Sequence, residues 1–135
     1  MRYLLDTNIF IAAIKGHASV RARLEKLPLS QILLSPVVLG ELELGVQKSQ
    51  RQEQNAARLS AILAGLPITP LDEQTSYHYG RIRAHLEQNG QPIGANDYWI
   101  AAQALALNAI VVTDNMSEFS RVPGLTVENW MGVGA

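Results

Sequence analysis

Apolar residues fall into two rhythms along this chain. Short unbroken runs at residues 3–5, 32–34 and 109–112 have the length and composition of buried strands, the first predicted to begin at Arg2. Elsewhere apolar positions recur at three- and four-residue spacing, as in Leu39, Leu42 and Val46, which share one helix face. That spacing predicts helices over about 8–15, 20–27, 36–50, 54–66, 72–89 and 96–107. Val127, after Pro123-Gly124, marks a short final strand.

Polar punctuation supports these boundaries. Asp6, Thr7 and Asn8 stand at the first strand–helix junction, and each can cap a helix N-terminus. Ser35 followed by Pro36 is a helix-start signal, while Gly90 suits the C-terminal end of the helix over 72–89. Asn96 is expected to cap the helix that follows. The order β-α-α-β-α-α-α-α-β-β predicts an α/β fold, a single domain over residues 1–135 with a small parallel sheet flanked by helices.

Composition narrows the functional classes. A chain of 135 residues, 47% hydrophobic and 17% charged, can bury a core and is not compositionally disordered. No apolar run approaches the ~20 residues that span a bilayer, and Asp6 interrupts any leader-like stretch. A cytoplasmic location with no membrane partner is therefore expected. Cysteine is absent, which excludes disulfides, thiolate metal sites and a cysteine nucleophile. The net charge of −1 excludes a broadly basic nucleic-acid coat but not a local basic strip.

The acids then change the picture. Aspartate occurs only at positions 6, 72, 97 and 114. Asp6 ends the first strand, Asp114 follows the third by one residue, and Asp97 opens an alanine-rich helix. In an open α/β sheet, residues after strands collect at the carboxyl edge, where ligands bind. Each acid also has an ordinary structural role open to it: helix capping for Asp6, the helix dipole for Asp97, a turn for Asp114. Glu41 lies beside the core stripe of its helix, between Gly40 and Gly45, whose cost in helix propensity suggests a close approach by backbone or ligand. Carboxylates brought within ~4 Å repel by about 4 kcal/mol per pair at an effective dielectric of 20, which a cation relieves. Oxygen donors without cysteine favour Mg²⁺ or Mn²⁺, and such a site can activate water toward a phosphodiester.

Four segments resemble the successive motifs of PIN domains. They are Leu4-Leu5-Asp6-Thr7-Asn8, Glu41-Leu42-Glu43-Leu44-Gly45-Val46, Ile93-Gly94-Ala95-Asn96-Asp97 with Ile100-Ala101-Ala102, and Val112-Thr113-Asp114-Asn115 with Glu118-Phe119. Their order and separations are most similar to the VapC toxins of bacterial toxin–antitoxin pairs. The resemblance implies a Mg²⁺-dependent endoribonuclease, with Mn²⁺ able to substitute, an RNA substrate, a VapB-like antitoxin partner and a homodimer. It places the metal ligands at Asp6, Glu41 and Asp97, with Thr7 and Thr113 as supporting hydroxyls. Where the family often carries a fourth acid, Asn115 stands, with Asp114 one residue earlier; both are carried as catalytic candidates.

For substrate contacts, His78, Arg81 and His85 share one face of the helix over 72–89. Arg21, Arg23 and Lys26 form a second basic patch, and solvated helix faces are the ordinary reading of both. Of the adjacent pair Tyr98 and Trp99, Tyr98 is expected to be free to stack on a base, and Trp99 to lie in the core. Two rival functions are an aspartyl phosphatase built on Asp6 and a non-catalytic interaction module. The phosphatase lacks the second acid it needs, since Asn8 occupies that place.

Overall fold

The computed structural model describes residues 1–132. Chain order gives β1 (Tyr3–Leu5), α1 (Thr7–Ile14), α2 (Ala18–Glu25), β2 (Ile32–Leu33), α3 (Pro36–Lys48), α4 (Gln52–Leu63), α5 (Glu73–Gln88), α6 (Ala95–Leu107), β3 (Ile110–Val112), α7 (Met116–Phe119) and β4 (Val127–Glu128). A 3₁₀ turn, Leu29–Gln31, leads into β2. The four strands form one parallel sheet in the order β2-β1-β3-β4. This is the expected α/β architecture.

Strand order decides where a ligand can enter. From β1 the chain winds outward to β2, whereas from β3 it winds the opposite way to β4. The two central strands are therefore adjacent while their following connections diverge, which opens a crevice at their carboxyl ends. Asp6 follows β1 and Thr113 follows β3, so both stand at this crevice. The Asp6 backbone N–H donates to the carbonyl of Val112 at 2.9 Å, and that of Thr113 to Glu128 at 2.9 Å. These bonds carry the sheet ladder up to the site itself.

The core lies around this sheet. Leu4, Leu5, Val111 and Val112 are fully buried, as are Ile9, Val38 and Ile100 on the covering helices. Ala101, Ala102 and Ala104 are also fully buried, so α6 presents small side chains where it meets its neighbours. Small residues let helix backbones approach closely, which holds the N-terminal end of α6 firmly in place.

Several local expectations change. The helix over 96–107 begins at Ala95, and its N-cap is Gly94 rather than Asn96. Helix α2 starts earlier than expected because the His17 ring, through Nδ1, accepts from the Val20 N–H and caps it. Gly90, with φ +68°, sits just past Asn89 at the end of α5, in the left-handed region that glycine adopts without steric cost. Helix α7 was not foreseen, because four residues are too few to show a helical period.

Candidate active site

Asp6 is the anchor of the crevice. It is 7% exposed, caps α1 through Oδ1 by accepting from the Thr7 N–H at 2.8 Å, and accepts through Oδ2 from the Thr113 hydroxyl at 2.8 Å. The capping role and the site role thus belong to the same side chain. Thr113 is fully buried, and its hydroxyl oxygen accepts from the Asn115 N–H at 2.9 Å. A chain of donors therefore fixes the Asp6 carboxylate between two strands' ends. Burial nevertheless pushes its carboxyl above the ordinary range, against the hydrogen bonds from Thr113 and Thr7; Glu41 and Asp114 add to the rise.

Glu41 enters from α3, where its Oε1 accepts from the Thr7 hydroxyl at 2.9 Å. A Cβ at Gly40 or Gly45 would meet nothing within 4 Å, so neither glycine is there to admit a close protein neighbour. Gly45 instead lines an open groove together with Glu41. Asp97 stands in the first turn of α6. Its carboxyl is pushed up to about 7, first by burial, then by the charges of Asp6, Glu118 and Glu41. Three carboxylates thus act on Asp97 at once.

Glu118 is the acid of this cluster that single-position reading missed. It is on α7, and its Oε1 accepts from the Gly94 N–H at 2.8 Å, at the N-terminus of α6. Its Oε2 accepts from the Asn115 amide at 2.7 Å, and the same amide reaches the Asp97 Oδ2 at 3.5 Å. Those two hydrogen bonds, Asn115 first and Gly94 second, hold the Glu118 carboxyl below its usual range. Asn115 is therefore a bridge between two acids, and the fourth carboxylate comes from Glu118. The sequence signal was present, since Glu118 lies within the last motif, but only the fold shows it meeting Gly94.

Asp114 is turned outward: it is exposed and its Oδ1 accepts from the Asn8 amide at 3.3 Å. It touches the cluster only through its charge on Asp6. The expectation for the aromatic pair is reversed. Tyr98 is 1% exposed, with its hydroxyl accepting from the Ile93 N–H at 3.2 Å, so it is unavailable for a base. Trp99 is half-buried and stacks on Tyr79 with centroids 3.9 Å apart. Arg81 and His85 line a separate groove with His78, Ile82, Leu105 and Pro123, which none of the site acids lines. Of the other basic patch, Arg21 donates to the Ala13 carbonyl at 2.8 Å and Arg23 lies over the Trp130 ring, 3.9 Å from Glu128.

The donors match a hard divalent cation in kind: carboxylates and hydroxyls, with no sulfur. In placement the site is open. Among the described residues no three Asp, Glu or His side chains are drawn together tightly enough to hold an ion as they stand. The fit to Mg²⁺ accordingly rests on donor chemistry and on the negative charges of Asp6, Glu118 and Glu41 around Asp97, not on a closed coordination shell.

Comparison with known proteins agrees with this architecture. The PIN domain model matches residues 3–125. Ribonuclease VapC2 of Rickettsia felis is 45% identical over 132 residues, covering 96% of this chain and 98% of that protein. The tRNA(fMet)-specific endonuclease VapC of Shigella flexneri is 40% identical over 131 residues, covering 96% and 98%. A crystal structure of VapBC2 from Rickettsia felis bound to a DNA fragment from their promoter superposes with a TM-score of 0.89 at 44% identity, covering 96% of this chain and 99% of that one. The chain belongs to the PIN-domain family, within its VapC ribonuclease branch.

Proposed function

We propose that this protein is a Mg²⁺-dependent endoribonuclease, the toxin of a toxin–antitoxin pair, with Mn²⁺ able to substitute. The observation that carries the proposal is the convergence of acids at the sheet's switch point: Asp6 held by Thr113, Glu41 by Thr7, and Glu118 by an Asn115 amide that also reaches Asp97. Asp6, Glu41 and Asp97 would hold the ion, and Glu118, steadied by Asn115 and the Gly94 N–H, would complete the acidic set. Bound there, Mg²⁺ would supply charge neutralisation at the scissile phosphate and an activated water. The chain's own residues do the positioning. Thr113 holds Asp6, Thr7 orients Glu41, and Asn115 keeps Asp97 and Glu118 from separating.

RNA as substrate follows from the relatives named above, one of which is specific for tRNA(fMet) by name. A VapB-like antitoxin would dock in the apolar groove between α1, α3 and α4, lined by Ile11, Ile14, Leu42, Val46 and Leu59 and also by Glu41. An amphipathic antitoxin segment with a basic residue at its end would fill this groove and neutralise the acids. A homodimer is proposed from the family alone.

The test is cleavage of total RNA and of initiator tRNA with Mg²⁺, Mn²⁺ or EDTA, using wild type, Asp6→Asn and Asp97→Asn. Cleavage by the wild type with metal, lost in EDTA and in both folded variants, supports the proposal. A second reading, a non-catalytic interaction module, draws on the open stance of the acids. It predicts no cleavage and no heat on titration with Mg²⁺ or Mn²⁺.

A further inference from the structure

Resting on the ribonuclease reading, we propose that the groove lined by Asn8, Lys15, His17 and Asp114 is a phosphate-binding track for single-stranded RNA, with the Lys15 ammonium and the His17 imidazole as its contacts. Four observations carry this. The groove, of about 500 Å³, adjoins the acidic crevice, because its lining residues Asn8 and Asp114, hydrogen-bonded to each other, stand two residues after Asp6 and directly after Thr113, the hydroxyl partner of Asp6. It follows one face of α1, since Asn8, Ile11, Ala12 and Lys15 all line it. Asn8 and Lys15 are seven residues apart, so they are separated by roughly 10 Å at the rise of an α-helix. Lys15 is exposed and also lines the groove that holds Glu41, so one side chain borders both acid-bearing grooves.

The fourth observation concerns His17. Its Nδ1 accepts from the Val20 N–H at 3.3 Å to cap α2. A neutral imidazole that accepts at Nδ1 carries its proton at Nε2. With Nδ1 engaged in the cap, Nε2 is the nitrogen left to donate from a half-buried ring that lines the groove. A phosphodiester chain approaching this site meets the negative charge of Asp6, Glu41, Asp97, Glu118 and Asp114. Its flanking phosphates need donors and a cation beside these acids, and Lys15 and His17 line the groove that Asn8 and Asp114 share. Asp114, the one acid in the groove, is held to Asn8 at the end nearest the crevice.

Binding of a fluorescein-labelled single-stranded RNA to the full chain, read by anisotropy in EDTA at low salt, tests the track separately from catalysis. The variants are Lys15→Gln and His17→Asp; aspartate retains a cap acceptor for α2 while removing the donor. Each is expected to raise Kd about five- to tenfold, and Lys15→Gln to lower the slope of log K against log salt by about 0.7. His17→Asn, a capping residue that carries a shorter amide donor, should recover part of the affinity lost in His17→Asp. Unchanged Kd and salt slope in Lys15→Gln and His17→Asp, with circular dichroism as in wild type, would overturn the track. Wild-type RNA binding that Lys15→Gln weakens, without metal-dependent cleavage, would keep the track and remove the ribonuclease reading. Cleavage with binding indifferent to both variants would do the reverse.

Discussion

Asp97 makes a sign-definite prediction at the level of one residue. Burial and the neighbouring acids push its carboxyl up to about 7 in the folded protein, from an ordinary value of 3.8. A raised carboxyl pKa means that the folded state holds the proton more tightly than the unfolded chain. Its stabilising effect is complete below about 3.8 and is lost as pH rises through about 7. Asp6, also raised, acts in the same direction. Metal-free protein should therefore lose about 1–2 kcal/mol of stability between pH 5 and pH 8 once solvent screening is allowed for. Urea denaturation in EDTA measures this. Asp97→Asn should be less sensitive to pH and more stable than wild type at pH 8, and Mg²⁺ should recover stability only in the wild type. Thr113→Val tests the other end of the site. It strips a donor from buried Asp6 and an acceptor from the Asn115 N–H, and should cost about 1–3 kcal/mol in the same assay.

Elements explain why parts of this site could be read in advance and others could not. Strands β1 and β3 were legible because each is a compact apolar run that stops at a polar residue, Asp6 or Thr113. Helix α3 announced itself through Ser35-Pro36, and the Ser35 hydroxyl does accept from the Val37 N–H at 3.2 Å. Tyr98 and Trp99 were exchanged because a sequence shows a helix face without showing which neighbour covers it. Here α5 supplies Tyr79 as the stacking partner of Trp99, while the Ile93 N–H draws the Tyr98 hydroxyl inward. Glu118 was missed for the same reason, since its meeting with Gly94 joins elements 24 residues apart. Helix α6 ends on Asn108 with φ +51°, in the left-handed region. Asn108→Ala should lower the thermal midpoint by roughly 1 kcal/mol equivalent, and Asn108→Gly should be close to neutral.

At the scale of the whole molecule, the sheet order β2-β1-β3-β4 is what assembles the site. Neither the order nor the crevice between β1 and β3 is written in local spacing; both follow from how the connections cross. The carboxyl ends of those two strands, the first turns of α1 and α6, α3 and α7 then bring Asp6, Asp97, Glu41 and Glu118 into one electrostatic neighbourhood. Glu118→Gln should accordingly lower the pH at which Asp97 titrates, seen by carboxyl NMR, and should reduce RNA cleavage without unfolding the chain. The central claim is that this neighbourhood cleaves RNA with a divalent cation. Its most direct test is cleavage of RNA by purified protein in Mg²⁺ against EDTA, alongside Asp6→Asn. Cleavage by the wild type in Mg²⁺ alone, with a drop of at least about a hundredfold in folded Asp6→Asn, is the predicted result. Equal cleavage by the variant, or by the wild type in EDTA, would contradict it.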